Sequence, residues 1–157
     1  LKKVNPMALA ESVDTQDPCA FRQIEKIIKS PVIRDAAYFE GSVDGNPTAR
    51  VLLCHVYPNS LHLADVYFQN HRAPLPQSER KRFREYRGFK LLPVVIDRMK
   101  QYAADHGITY LTLTAASADL MPLFQRHGFV LESNPMAQIC VQLGECIPME
   151  LKIGKKA

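Results

Sequence analysis

Three strand-length stretches, Ala37 to Val43, Ala49 to Tyr57 and Leu61 to Phe68, follow one another with only turn-forming residues between them. Asp44-Gly45-Asn46-Pro47 and Pro58-Asn59-Ser60 supply the turns, since Gly, Asn and Pro each favour a tight reversal. Strands joined by such short connections pair antiparallel, so this part of the chain is expected to be a meander. The period then changes. From Leu91 to His106, the residues Leu92, Val95, Ile96, Met99 and Ala103 fall on one helical face, with Pro93 tolerated in the first turn. Gly107 supplies a stop, and Ile108 to Thr114 reads as a strand. A strand, a helix and a second strand in that order imply a right-handed parallel crossover.

The flanks complete the pattern. An earlier helix is expected after Asp17-Pro18, carrying Phe21, Ile24, Ile27 and Ile28 and ending at Ser30-Pro31. Ser117 to His127 reads as a short helix with Ser117 as N-cap and Gly128 as stop. Phe129 to Leu131, Ala137 to Leu143 and Met149 to Ile153 read as terminal strands. The expected class is mixed α/β (α+β), with a central mixed sheet of about six to seven strands flanked by helices. At 157 residues and 46% hydrophobic content, one core and one domain over residues 1–157 suffice.

No apolar run reaches the roughly 18 to 20 residues that span a bilayer. The opening Leu1-Lys2-Lys3-Val4-Asn5-Pro6 has charge with no apolar stretch behind it, unlike a signal peptide. Cys19, Cys54, Cys140 and Cys146 form no C-x-x-C pair, so neither a disulfide scaffold nor a metal site is expected. The expectation is a cytoplasmic protein without contact to a membrane.

The net charge of +4 is concentrated. Arg72, Arg80, Lys81, Arg82, Arg84, Arg87 and Lys90 face only Glu79 and Glu85 between residues 70 and 90, giving +5 there and −1 elsewhere. A local basic segment suits an anionic ligand better than whole-surface attraction to nucleic acid. Residues 70–86 also carry two prolines, and so long a loop is often functional. Taken alone, Arg87 and Lys90 are better read as solvated charges, as basic runs usually are.

The stretch from Leu61 to Val130 resembles the GNAT superfamily of acyl-CoA-dependent N-acyltransferases. The matching residues are the strand Leu61 to Phe68, then Tyr86-Arg87-Gly88-Phe89-Lys90 at a helix start, then Leu123-Phe124-Gln125-Arg126-His127-Gly128-Phe129. The family has Arg-Gly-x-Gly-x-Gly/Ala at the first helix start and Leu-Tyr-x-x-x-Gly-Phe later. Here Arg87 and Gly88 match, the two later small positions hold Lys90 and Leu92, and the Tyr position holds Phe124. The resemblance covers about 90 residues by motif.

It implies an acyl-CoA co-substrate, no metal, and direct attack of a substrate amine on the thioester. Cofactor contacts are then expected from Val66, Tyr67 and Phe68 through strand-end backbone groups, from Arg87, Gly88, Phe89, Lys90, Leu91 and Leu92 around the pyrophosphate, and from Ser117 near the pantetheine arm. A helix start suits pyrophosphate because its amides point outward at the positive end of the helix dipole. Asp65 is the leading candidate base, Glu40 the second, and Tyr86 a candidate proton donor. The acceptor is expected to be an amine on a small molecule or protein, and a homodimer is admissible. Lys90, Leu92 and Phe124 favour an alternative, a GNAT-like module that binds without catalysis. The weaker alternative is nucleic-acid binding through residues 70–90, with Phe83, Tyr86 and Phe89 for stacking.

Overall fold

The computed structural model describes residues 33–80 and 84–154. The helix expected after Asp17-Pro18, Cys19 and the basic residues Lys81 and Arg82 lie outside them. The meander is present as β1 (Ile33–Val43), β2 (Asn46–Val56) and β3 (Ser60–Phe68). The first hairpin closes on Asp44 and Gly45, both at positive φ, the backbone that a two-residue hairpin turn requires. β1 starts four residues before the expected Ala37.

Helix α1 (Leu92–Asp105) follows the long loop and buries Ile96, Met99 and Ala103. It returns the chain to β4 (Tyr110–Ser117), which pairs parallel with β3, as the crossover requires. The expected helix at Ser117 to His127 is shorter: a 3-10 turn over Ala118–Leu120, then α2 (Met121–Gln125). β5 (Val130–Leu131) and β6 (Glu145–Lys152) complete a six-stranded sheet in the order β1-β2-β3-β4-β6-β5.

One expectation is overturned. Ala137 to Leu143 is not a strand but part of α3 (Pro135–Leu143). Its apolar run satisfies either period, and the ends decide between them. Asn134 accepts a hydrogen bond from the Ala137 amide, Pro135 sits at the first helical position, and Gly144 closes the helix in a left-handed conformation.

The sheet has two unlike faces. One packs Val51, Leu53, Leu61, Leu63, Leu111, Leu113, Ile147 and Met149 against Ile96, Met99, Phe124 and Phe129 from the helical side. The other buries a smaller cluster, Ala36, Leu52 and Cys54. There burial pushes the Cys54 thiol up to about 11.

On that second face His62 of β3 meets Thr112 of β4, Nδ1 to Oγ1 at 2.9 Å. Burial lowers the pKa of His62 below its usual 6.5, because an imidazolium there loses hydration. A depressed folded-state pKa gives stability that is complete above the unfolded value and is lost as pH falls below it. Urea midpoints should therefore drop between pH 7.5 and 5.5, and less steeply in a His62→Leu variant. Equal pH slopes in the two proteins would show that His62 is not the sensitive group.

Candidate active site

The site begins where two strands part. β3 and β4 pair only over Ser60–Leu63 and Tyr110–Leu113. Beyond that point β3 keeps its partner β2 as far as Phe68, and β4 keeps β6 as far as Ser117. A register shift between Leu52 and Leu53 leaves Ala64 unmatched at the fork, and bulges of this kind turn a strand away from its neighbour. Each arm of the fork thus has one paired edge and one edge without a strand partner among the described residues.

The loop before α1 closes on the end of β3. Asn70 N donates to Arg87 O at 2.8 Å, Arg87 N to Ala73 O at 2.9 Å, and Leu75 N to Glu85 O at 2.9 Å. Gly88 is needed for this seat, since a Cβ on it would lie 3.0 Å from the backbone oxygen of Phe68. Among the described residues no acceptor meets the amides of Gly88, Phe89 and Lys90. The first turn of α1 adds neither an acidic residue nor a side-chain cap. Amides without an acceptor at a helix start, with the helix dipole behind them, are groups that can meet an anion.

The expected cofactor residues divide by side-chain direction. Val66 and Phe68 pack on the helical core, while Tyr67 alternates to the other face. Leu92 also packs against that core, so its side chain does not fill the loop mouth as its place in the motif suggests. Arg87, Phe89, Lys90 and Leu91 are exposed. Among the described residues Arg87 and Lys90 form no ion pair, whereas Arg72 pairs with Asp44 and Arg80 Nε donates to Leu75 O at 3.0 Å. The basic segment is therefore two sets of charges, one engaged in holding the loop and one free at the helix start. Ser117 ends β4 and precedes the 3-10 turn, but its hydroxyl donates to Asp119 and does not cap the turn. Phe124 is buried edge-on to Phe129, with centroids 6.3 Å apart.

Of the expected acid-base residues, Glu40 and Asp65 lie on the second face of the sheet and Tyr86 in the loop before α1. Glu40, Arg50 and Tyr67 are cross-strand partners in one row, and Tyr38, Leu52 and Asp65 in the next. Arg50 Nε stands 2.7 Å from Asp65 Oδ2, and its guanidinium lies 5.5 Å from the Tyr67 ring centroid. The Arg50–Asp65 contact is a close ion pair between two partly buried side chains. Burial raises the Tyr67 pKa; Arg50 opposes the shift, and Tyr86 and Glu85 add to it. Tyr86, in the loop before α1, is half-buried with its ring centroid 4.6 Å from that of His71. Glu40 is exposed on the edge strand β1. Sequence reasoning missed Arg50 and Tyr38. The available signal was a lone arginine opening the apolar run Val51-Leu52-Leu53-Cys54.

Among the described residues no group of three or more His, Cys, Asp or Glu could hold a metal, and no helix is long and apolar enough to cross a membrane.

No protein-family model matches this chain, and no curated protein matches it significantly. Solved structures do. One assigned to the GNAT family of acetyltransferases, from Desulfovibrio desulfuricans, is 12% identical with a TM-score of 0.54, covering 98% of this chain and 96% of its own. Nourseothricin acetyltransferase is 16% identical with a TM-score of 0.50, covering 77% of this chain and 67% of its own. The chain therefore has the fold of the GNAT superfamily.

A Cβ at residue 88 tests the seat of the loop. Gly88→Ala should leave the protein folded but displace the loop, weakening anion binding at the start of α1 by several-fold in calorimetry. Unchanged binding of a pyrophosphate-bearing ligand would separate Gly88 from that site.

Proposed function

We propose that this protein is an acyl-CoA-dependent N-acyltransferase that moves an acyl group from the CoA thioester to a primary amine. The observation that carries the reading is the fork between β3 and β4, with unpartnered amides and two free cations beside it. An extended pantetheine arm has amide groups able to pair with the open edge of β3, as an added strand would. Its pyrophosphate then falls to Gly88–Lys90 and the α1 start, with Arg87 and Lys90 supplying charge.

In the proposed reaction the neutral amine attacks the thioester carbonyl, forming the C–N bond as the C–S bond breaks. The amine's proton passes to a carboxylate, for which Asp65 on β3 is the nearest to the fork and Glu40 the more exposed. The departing thiolate takes a proton from Tyr67, Tyr86 or solvent. Phe124 has none to give. That buried phenyl ring favours a second reading, a module that binds acyl-CoA without turning it over. Nucleic-acid binding is less well supported, since Arg72 and Arg80 are already engaged by the chain itself.

Calorimetric titration with acetyl-CoA at two salt concentrations tests the reading. Arg87→Ala and Lys90→Ala should each weaken binding by about 1 kcal/mol or more, as charge-assisted phosphate contacts do. Arg72→Ala and Arg80→Ala should be nearly neutral, because their guanidinium groups are already engaged by Asp44 and by the Leu75 carbonyl. Absence of acetyl-CoA binding by the unaltered protein would reject it. Binding without transfer to any amine would select the second reading.

A further inference from the structure

Helices α1 and α3 differ in what they show to solvent. α1 buries Ile96, Met99 and Ala103 and turns Asp97, Arg98, Gln101 and Asp105 outward, the usual division of a surface helix. α3 buries Ala137 and packs Cys140 and Val141 on the core, yet its outer residues include Met136, Ile139 and Leu143. Gln138 and Gln142 are the polar side chains exposed between them. From Ser133 to Gly144 the sequence has no charged residue, although 23% of the chain is charged. A helix that is apolar on two sides is normally covered on both.

Met136, Ile139 and Leu143 stand at spacings of three and four, so they share one side of the helix. Their exposures are 63%, 47% and 73%. Single exposed apolar residues mean little, but three large ones aligned on one uncharged helix mark an interaction surface.

The chemistry of the stripe selects its cover. Without charge it offers nothing that would steer nucleic acid or a charged protein surface. Helices that lie on lipid carry Lys or Arg on their polar face, where α3 has glutamines. A second copy of α3 fits at the ends as well as in the middle. Laid antiparallel about a two-fold axis, Ile139 falls beside the axis and Met136 meets the second copy's Leu143. The same register brings Glu145 to the second copy's Asn134. Asn134 caps the start of α3, and the first turn behind it has no acidic residue. Glu145 therefore meets the positive end of the facing helix dipole, and the symmetry repeats this at the other end. Glu132, the other acidic residue bordering the stretch, accepts from Asn134 Nδ2 at 2.9 Å within its own chain.

We propose that the stripe of Met136, Ile139 and Leu143 on α3 is a self-association surface, through which two copies of this chain pair with their α3 helices antiparallel. The stripe is far smaller than the roughly 20 to 30 residues a side of a standard interface, so the dimer is reversible, with a dissociation constant on the order of 10 μM. The pairing does not rest on the acyltransfer reading.

Sedimentation velocity between about 1 and 500 μM spans the range expected of so small an interface. The unaltered protein should pass from monomer to dimer as its concentration rises, and amide exchange over residues 136–143 should slow in step. Ile139→Glu and Ile139→Lys should each weaken association by about tenfold or more, since like charges then face one another across the axis. Mixed in equal amounts, these two variants should associate more tightly than either alone, because position 139 of one copy meets position 139 of the other. Leu143→Lys, at the most exposed position of the stripe, should also weaken association, with the melting temperature of the dilute monomer unchanged. A fall in that temperature would show an internal packing role and contradict the assignment. A protein that stays monomeric throughout the range overturns the proposal, whatever else binds α3. So does a dimer that Ile139→Glu and Leu143→Lys leave intact, since its interface would lie on another face. Mixed variants no tighter than either alone would contradict the antiparallel two-fold arrangement.

Discussion

The parallel pairing of β3 with β4 lasts four residues, and the rest of the site depends on its ending there. Up to Leu63 and Leu113 the two strands satisfy one another's backbone groups. Past that point each is held from its far side only, β3 by β2 and β4 by β6. A strand edge left open inside a sheet is costly unless water or a ligand meets its N–H and C=O groups. Among the described residues the fold bears this cost between β3 and β4, beside the start of α1. Ala64, unmatched in the register between β2 and β3, lies at the point of divergence.

Strand alternation then separates two tasks. Val66 and Phe68 turn toward the helical core and anchor the open arm, while Asp65 and Tyr67 turn to the face shared with Arg50, Tyr38 and Glu40. The same four-residue stretch, Asp65 to Phe68, therefore presents an open backbone edge on one side and polar side chains on the second face of the sheet. The cations near the helix start divide in a parallel way. Arg72 and Arg80 are tied to Asp44 and to the Leu75 carbonyl, which shapes the loop, whereas Arg87 and Lys90 form no ion pair among the described residues.

Much of the architecture was legible because it rests on local chemistry. Turn residues at Asp44-Gly45 and Pro58-Asn59 place the meander, and the spacing of Leu92, Ile96, Met99 and Ala103 places α1. Ala137 to Leu143 was misread because Ile139 and Val141 suit a strand, while the deciding signals were the Asn134-Pro135 start and the Gly144 stop. Leu92 looked obstructive in the motif, yet it packs inward on the core. The Arg50–Asp65 contact and the place of Tyr38 beside Glu40 were not legible at all, since both depend on cross-strand register across three strands. Phe124, which holds the Tyr position of the motif, is buried in the core.

Amide hydrogen exchange with and without acetyl-CoA tests the central claim most directly, because it reads the open edge itself. The account predicts slowed exchange confined to residues 64–68 of β3 and residues 88–92 at the start of α1, with β1 and β6 unchanged. Protection elsewhere, or binding that leaves the β3 amides exchanging at their free rate, would contradict the claim that the fork is the cofactor site.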